Sequence, residues 1–366
     1  MASTNEVVVA CAGSGKTTYL LERALADPTK RGLIVTYTNE NLREINSRLW
    51  QESTGSLLHV ETMTIFEFLL RECIKPYQNF KADIAQIRSV NFVSERPRFA
   101  KKSDFEEFYL DESNNVYRDA VSDLACLLNA ESGGKVVARL ESIYDAIFID
   151  EMQDLAGWDF EFVHLLLDSS IDLTLVGDPR QSVYYTNQSA KNRNKKGESI
   201  VNWINECVDA GLCDVVEHTH SYRCVQEICA FADALFPSMT ATTSRNKEQT
   251  GHDGVFLVSV GDLDAYRAEY RPQELRWDRR SRTAGALAKN FGQVKGLTYP
   301  RVLIHPTGPM MKYIENGAAL PSGAVAKFYV GITRARQSVA ILTEKTTTSS
   351  ALPFWSPSPE AASPRG

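Results

Sequence analysis

Several patterns that often assign a protein to a class are missing from this 366-residue chain. Its seven cysteines are scattered and form no Cys-x-x-Cys pair, which argues against a disulfide-stapled secreted protein. No apolar run approaches the ~20 residues needed to cross a bilayer, and no signal-peptide pattern is present. We therefore expect a reducing, cytoplasmic setting with no membrane partner.

The chain also lacks an overall basic excess, because its net charge is -6. A local positive stripe is enough for nucleic-acid binding, so the global sign excludes little. With 43% hydrophobic and 23% charged residues, the composition is that of an ordinary globular protein with room for two domains. The function class must therefore come from motifs.

Residues 7–18 have the pattern of a buried strand, a glycine-containing loop and the start of a helix. Gly13 and Gly15 let the loop curl so that several N–H groups point at one spot, at the positive end of the helix. Lys16 adds a charge for the β- and γ-phosphates, and the Thr17 hydroxyl suits Mg²⁺. A chance Gly-Lys-Thr in an ordinary turn is the alternative, and the flanking strand and helix argue against it.

A second polar strand end completes a nucleotide site. The apolar residues 146–149 lead into Asp150, which suits the magnesium shell, and Glu151, which suits activation of the attacking water. Helix-capping acids after a strand are the alternative. Gln181 follows another apolar run and is an amide placed to sense a γ-phosphate.

Other polar residues follow strands at the carboxyl edge of the sheet, where α/β proteins bind ligands. Thr38 and Asn39 follow the second strand, and Asn39 is predicted to cap the next helix. Thr62 lies in a strand that ends in hydroxyls, which suit the phosphates of a nucleic-acid strand. Tyr184 and Tyr185 offer rings for base stacking, although such tyrosines are more often packing residues.

Predicted strands and helices alternate along the chain in two groups, which indicates two α/β domains. We predict a first domain at 1–205, which contains a mostly helical insertion at 75–142, a second domain at 206–345 and a disordered tail at 346–366. The insertion carries basic clusters that a solvated face explains more simply than a specific contact.

These stretches resemble, in order, the motifs of the UvrD/Rep family of superfamily 1 helicases. The matching stretches are 10–17 (motif I), 36–49 (Ia), 62–66 (Ib), 148–154 (II), 176–184 (III), 221–223 (IV), 293–298 (V) and 329–335 (VI). The resemblance implies two RecA-like P-loop domains with parallel sheets and ATP in the cleft between them. It also implies translocation along single-stranded DNA in the 3'-to-5' direction.

The resemblance implies ATP and Mg²⁺ as cofactors, single-stranded or tailed DNA as a partner, and a set of site residues. The implied catalytic residues are Glu151, Gln181, Arg223 and Arg334, with the two arginines as arginine fingers. The implied nucleotide contacts are Ala12, Gly13, Ser14, Gly15, Lys16, Thr17, Thr18, Gly296 and Tyr222, which would stack on adenine. Thr17 and Asp150 would ligate Mg²⁺, and the implied DNA contacts are Tyr37, Thr38, Asn39, Thr62, Tyr184 and Tyr185.

The chain departs from the family pattern at several positions. Thr18 and Thr298 replace an arginine and a glutamate that contact the nucleotide, and the glutamine upstream of motif I has no counterpart, so we expect loose nucleotide selectivity. Thr186 and Asn187 replace a stacking tryptophan and its arginine. The stretch 224–292 is too short for the 2B subdomain of full-size relatives. Reduced relatives include the helicase-like subunits of Gabija-type phage-defence systems, which work with a nuclease partner.

Three functions fit the motifs. The leading one is a DNA-dependent ATPase that unwinds or remodels duplex DNA. A nucleic-acid-sensing NTPase switch that regulates a partner nuclease without unwinding is the rival. A small-molecule P-loop kinase is a third, but it leaves Arg223 and Arg334 without a role.

Overall fold

The structure is a computed structural model that describes most of the chain: residues 5–52, 59–80, 86–183, 191–195, 199–281, 283, 287–345 and 350–357. The chain forms two compact units. Unit 1 consists of Met1–Ala10 and Lys16–Glu217, and unit 2 of Cys11–Gly15 and His218–Gly366.

The elements up to the division between the units are, in chain order, β1 (Glu6–Ala10), α1 (Lys16–Leu25), β2 (Gly32–Thr36), α2 (Asn39–Glu52), β3 (Val60–Thr64), α3 (Ile65–Phe68), β4 (Val90–Asn91), α4 (Phe105–Tyr109), β5 (Val116–Tyr117), α5 (Val121–Glu131), α6 (Lys135–Ile143), β6 (Ala146–Ile149), α7 (Asp159–Leu167), β7 (Asp172–Gly177), α8 (Ile200–Asp209) and β8 (Asp214–His218). A π-helix (Leu69–Ile74) and short 3₁₀ turns, among them Met152–Asp154 and Pro179–Gln181, lie between them. The predicted domain boundary at 205/206 falls inside α8, whereas the units divide after Glu217.

The sheet of unit 1 has the strand order β3-β2-β6-β7-β1-β8. The pairs from β3 through β1 are parallel. The strand before the phosphate loop, β1, and the strand that ends before Asp150, β6, therefore flank β7. Since parallel strands end at one edge, the polar residues that follow β6 and β7 meet there.

Apolar residues cover both faces of this sheet, as its β-branched strands require. Successive residues point to opposite faces, so Val7 packs in the core beneath α5, α7 and α8, and Val8 packs in the core beneath α1 and α2. Both side chains are fully buried.

The described part of the stretch between β3 and β6 is mostly helical. Its helical run begins at Ile65, directly after β3, and it also contains the short parallel pair β4 and β5. Its apolar residues, such as Leu124 and Leu128, join the core of unit 1.

The elements of unit 2 are, in chain order, β9 (His220–Ser221), α9 (Gln226–Asp233), β10 (Thr243–Ser244), β11 (Gly254–Ser259), α10 (Leu263–Tyr270), β12 (Gln273–Arg276), β13 (Lys289–Asn290), β14 (Tyr299–Ile304), α11 (Gly308–Asn316), α12 (Ser322–Ile332) and β15 (Ala335–Thr343). Five strands pair in parallel in the order β11-β15-β14-β12-β13. The predicted α/β class with parallel sheets is confirmed.

The tail differs from the prediction of disorder from residue 346. Residues 353–355 run along the free edge of β11, where Leu257 N donates to the Pro353 oxygen (2.9 Å) and Trp355 N donates to the Leu257 oxygen (2.9 Å). Trp355 is buried and packs edge-on against Tyr266. Its large apolar ring gains enough by burial to order a segment whose overall composition is polar.

Among the described residues, none of the helices is long and apolar enough to cross a membrane.

Candidate functional site

The phosphate loop Cys11–Gly15 is a tight turn that requires glycine. Gly13 has φ +76° and Gly15 φ +85°, in the left-handed region where a side chain is strained. A Cβ on Gly13 would also lie 2.5 Å from the Cβ of Arg223. The hydroxyl of Ser14 is buried and has no hydrogen-bond partner among the described residues, so the loop holds an unused polar group.

Within unit 2, this loop lies against motifs IV and VI. Tyr222 N donates to the Gly13 oxygen (2.9 Å), and Ser221 Oγ donates to the Ala12 oxygen (2.8 Å). Ala12 N in turn donates to the Tyr329 hydroxyl (3.4 Å). Three stretches that are distant in sequence therefore meet at one turn.

Helix α1 begins with Lys16, which Thr17 and Thr18 follow, and all three are partly buried. The charge of Lys16 acts on Asp178 at the end of β7. Burial alone would raise the pKa of the Asp178 carboxyl. The positive charges of Arg180 and Lys16, together with the hydrogen bonds from Gln181 and Arg180, outweigh burial and lower that pKa below its usual value. Lys16 is thus directed toward the carboxyl edge of the unit 1 sheet.

Asp150 and Glu151 follow β6 at the same edge. Asp150 is buried, and its N–H continues the strand ladder by donating to the Val35 oxygen (2.9 Å). Glu151 has φ +56°, in the left-handed region that non-glycine residues seldom adopt, and its N–H donates to Asp150 Oδ1 (2.9 Å). Strain of this kind is concentrated at functional sites because only the surrounding structure can maintain it.

Gln153 is a candidate functional residue to which the sequence analysis gave no role. It is completely buried, its Nε2 donates to Glu151 Oε2, and its Oε1 accepts from Asp178 N (3.0 Å). Gly177 makes room for it, since a Cβ there would lie 2.6 Å from Met152 Cγ and collide with the Gln153 amide. The sequence signal that could have identified Gln153 is its position, two residues after Glu151.

Asp178 extends this connection to Gln181. Gln181 Nε2 donates to Asp178 Oδ2 (2.8 Å), and Arg180 Nε donates to Asp178 Oδ1 (3.0 Å). All three side chains are buried. A continuous path of hydrogen bonds therefore leads from Glu151 through Gln153 and Asp178 to Gln181.

The two predicted arginine fingers come together in unit 2. Arg334 is almost fully buried and donates to the Val330 oxygen (3.1 Å) and the Leu297 oxygen (3.3 Å), and its Nη2 donates to Thr333 Oγ1 (3.3 Å). Arg223 Nη1 donates to the Thr333 oxygen (3.2 Å). Motifs IV, V and VI thus converge on one pair of guanidinium groups.

Two other predicted nucleotide contacts of unit 2 lie on its surface. The ring of Tyr222 is 63% exposed, which leaves a face open for stacking. Gly296 has φ +86°, and a Cβ there would meet no atom within 4 Å. The backbone at Gly296 is therefore open to a ligand.

The predicted DNA contacts of unit 1 need one correction. The residue that caps α2 is Thr38 rather than Asn39: Thr38 Oγ1 accepts from Asn41 N (3.1 Å), and Asn39 is already the first helical residue. Thr62 Oγ1 donates to Asn46 Oδ1 (2.6 Å), which holds α2 against β3. Thr38 and Asn39 remain exposed at the carboxyl edge.

Tyr37 points inward more than a base-binding residue is expected to. Its ring packs against the core of unit 1, and its hydroxyl is buried without a hydrogen-bond partner among the described residues. Burial, and then the nearby Asp159 and Asp154 carboxylates, raise the pKa of Tyr37 well above its usual value. Tyr184, Tyr185, Thr186 and Asn187 lie outside the described residues.

The donors at the carboxyl edge suit magnesium better than a protein-only metal centre. The described residues contain no group of three His, Cys, Asp or Glu side chains able to hold a metal. Mg²⁺ typically takes one or two protein oxygens and completes its shell with water and substrate phosphates. Thr17 and Asp150, both in unit 1, fit that mode.

Comparison with known proteins, like the motifs, indicates a similarity to UvrD/Rep helicases. A family model described as the UvrD/REP helicase N-terminal domain matches residues 69–195. The Gabija protein GajB of Bacillus cereus (strain VD045) is 26% identical over 273 residues, which are 70% of this chain and 51% of that protein. The ATP-dependent DNA helicase Rep of Buchnera aphidicola subsp. Acyrthosiphon pisum (strain APS) is 25% identical over 141 residues, which are 37% of this chain and 20% of Rep.

The chain thus spans about half the length of GajB and a fifth of Rep. Among solved structures, the Arterivirus nonstructural protein 10 helicase aligns with a TM-score of 0.49 at 13% identity, over 94% of this chain and 61% of that one. A complex of the same helicase with DNA aligns with the same TM-score and identity, over 94% of this chain and 62% of that one. The family match and the two curated relatives confirm the resemblance to UvrD/Rep helicases.

Proposed function

From this resemblance we propose that the chain is the motor region of a UvrD-type, DNA-dependent ATPase. It would hydrolyse ATP with Mg²⁺ to move 3'-to-5' along single-stranded DNA and to unwind or remodel duplex DNA. The observation that carries the proposal is the packing of the phosphate loop Cys11–Gly15 against Arg223, since a Cβ on Gly13 would overlap that side chain. A phosphate loop in contact with a distant arginine is suited to hydrolysis rather than to binding alone.

The chain's own residues divide the work of hydrolysis. The N–H groups of the loop and the Lys16 ammonium bind the triphosphate, and Thr17 and Asp150 would hold Mg²⁺, which neutralises phosphate charge when bound. Glu151 accepts the proton of the attacking water. Gln181 contacts the terminal phosphate and reports it through Asp178.

Arg223 and Arg334 stabilise the charge that develops on the transferring phosphoryl group. Their hydrogen bonds to main-chain oxygens fix both guanidinium groups in one place. Preorganised charge of this kind needs little rearrangement when the reaction occurs, which is why it lowers the barrier.

Base selection is proposed to be weak. The exposed ring of Tyr222 supplies one stacking face, and stacking on an aromatic ring tolerates any base. Thr18 and Thr298 replace longer residues that contact the nucleotide in the family. We expect ATP, GTP, CTP and UTP all to be hydrolysed, because most binding energy comes from phosphate contacts they share.

A sensing switch that does not unwind DNA is the second candidate. Among the described residues between Arg223 and Gln293, the strands and helices β10, β11, β12, β13, α9 and α10 are all parts of unit 2 itself. The described part of this stretch thus contains no separate subdomain to engage a duplex. Under this reading, strand-stimulated hydrolysis would regulate a nuclease or another protein partner.

One experiment separates the two candidates. Turnover of ATP by the chain is measured with and without a single strand, beside strand displacement on 3'-tailed and 5'-tailed duplexes. Stimulated turnover with displacement of the 3'-tailed duplex supports the helicase, and stimulated turnover alone supports the switch. Lys16→Ala is the control for contaminating ATPases, and turnover that no strand stimulates would contradict both candidates.

A further inference from the structure

Two adjacent turns in the insertion of unit 1 place apolar side chains in solvent. In the first, Asn91 Oδ1 accepts from Val93 N (2.9 Å) and Ser94 N (3.0 Å), which closes an Asx turn. At its tip, Phe92 is 57% exposed and Val93 is 95% exposed. Two neighbouring apolar side chains exposed on a hydrogen-bonded turn contribute nothing to the core and are available to contact a partner.

The second turn is closed by Ala100 N, which donates to the Pro97 oxygen (3.1 Å). It presents Arg98 and Phe99 at its tip, and Phe99 is 87% exposed. A groove of about 290 Å³ runs beside the two turns and is lined by both and by Arg118. We call the five exposed residues the turn surface: Phe92, Val93, Arg98, Phe99 and Arg118.

The charge of the turn surface is positive. Arg96, below it, is already engaged, since its guanidinium lies 3.9 Å from the Phe108 ring centroid and 3.5 Å from Asp119. Arg98 and Arg118 are exposed and form no ion pair with any residue that the structure describes. The groove is lined by two carboxylates, those of Asp119 and Glu95. Asp119 is paired with Arg96, so the two positive charges of Arg98 and Arg118 exceed the single negative charge of Glu95.

The turn surface is continuous with the carboxyl edge of the unit 1 sheet. The ring of Phe92 meets the ring of Phe66 edge-on, with centroids 5.1 Å apart at 89°. Phe66 belongs to α3, which begins directly after Thr64 at the end of β3. Thr62, one of the proposed backbone contacts, lies in that strand.

We propose that the turn surface binds single-stranded nucleic acid as an extension of the track formed by Thr38 and Thr62. Bases stack on the rings of Phe92 and Phe99, while Arg98 pairs with phosphate. Aromatic rings beside cations that pair with no described carboxylate match a polyanion with aromatic bases, whereas an apolar protein helix would desolvate both arginines without supplying a counter-charge. This inference rests on the proposed function, because it requires a strand bound to unit 1.

The test measures binding of a fluorescein-labelled oligodeoxythymidylate by anisotropy over a range of salt concentrations. Phe99→Ala should weaken binding about 5-fold to 100-fold, as expected for one stacked base, and leave the salt slope unchanged. Arg98→Gln should weaken binding and also reduce the slope of log K against log salt by about 0.7, the value for one phosphate on a single strand. Stacking and charge therefore give different signatures.

Trp50→Ala is the matched control, because Trp50 is 78% exposed but lies at the far end of α2, ~17 Å from Asn39 at 1.5 Å per residue. Phe99→Tyr keeps a stacking face and should restore wild-type affinity. Wild-type affinity in both Phe99→Ala and Arg98→Gln, with the wild-type chain still stimulated by strands, would overturn the inference and leave the proposed function intact. A wild-type chain that neither binds nor responds to the strand would overturn both.

Discussion

The hydrogen bonds of Gln153 lead to a specific prediction about catalysis. Its amide joins the Glu151 carboxylate to the backbone N–H of Asp178, and no part of the side chain reaches solvent. Gln153→Met keeps the side-chain length and apolar stem but removes both hydrogen bonds. We expect kcat to fall about 10-fold to 100-fold with little change in nucleotide affinity, because a base displaced by about 1 Å can cost that much.

Gln153→Met should also lower the free energy of unfolding, because two buried hydrogen bonds are lost. Losing the amide oxygen leaves the buried Asp178 N–H without its acceptor, which costs about 1–3 kcal/mol. The donor to Glu151 adds about 1.5–3 kcal/mol, because hydrogen bonds to charged groups are the stronger ones. The two contributions together are about 2.5–6 kcal/mol. Because Glu151 can reach water, part of this loss is offset, and we expect the free energy of unfolding to decrease by about 2–5 kcal/mol.

The assay pairs single-turnover hydrolysis with nucleotide binding and urea unfolding. Gln153→Glu is the matched variant: it keeps an acceptor for Asp178 N–H but sets a carboxylate against Glu151. It should recover part of the stability and none of the turnover. A Gln153→Met chain with wild-type kcat would refute the positioning of Glu151 by this amide, whatever happens to its stability.

Three further predictions concern the proposed roles and the pH response. Lys16→Ala should abolish nucleotide binding, whereas Glu151→Gln should bind nucleotide normally and fail to hydrolyse it. If both variants lost nucleotide affinity equally, the role of Glu151 as proton acceptor would be contradicted. Arg334→Ala should lower strand-stimulated turnover about 10³-fold to 10⁵-fold, as arginine fingers do, and near-normal turnover in a variant whose unfolding is checked would contradict that role. Burial, and then the positive charge of Arg301, lower the pKa of His252 from 6.5 to about 4. Between those values the unfolded chain binds a proton that the folded chain does not, so the unfolding midpoint should fall as pH drops from 6.5 to 4, and less so in His252→Phe.

The packing around His252 explains why the pKa of its imidazole is low. Its ring is stacked between Phe256, 4.3 Å away, and Tyr270, 4.0 Å away. Its Nε2 lies 3.0 Å from the Tyr266 hydroxyl. Arg301 donates to the His252 oxygen (2.6 Å), which brings a second positive charge to the same place.

The signals for the candidate nucleotide site are local in the sequence. A strand, two glycines and Lys16 are neighbours in sequence, and the backbone N–H groups they arrange belong to the same loop. The same holds for Asp150 and Glu151, which come directly after an apolar strand. Parallel strands end at one edge, so the sequence alone also places these groups on the same side of the sheet.

The contacts that join these groups were decided by tertiary structure. Gln153 reaches Asp178 only because β6 and β7 are adjacent and Gly177 leaves space, and adjacency of strands is not written in their own residues. The inward hydroxyl of Tyr37 depends on the core that closes around it. Both side chains can cap a helix, and the cap is Thr38 because α2 already begins at Asn39.

The sequence by itself therefore determined which chemical groups this protein carries, the α/β class and the resemblance to UvrD/Rep helicases, because each of these depends on residues close together in the chain. Only the tertiary structure decided how groups from distant motifs meet. Arg223 and Arg334 share Thr333 although they are more than a hundred residues apart, and Trp355 is ordered because a free strand edge and an aromatic cluster receive it. Such contacts arise from the complementary shapes of packed elements, and no local pattern encodes them.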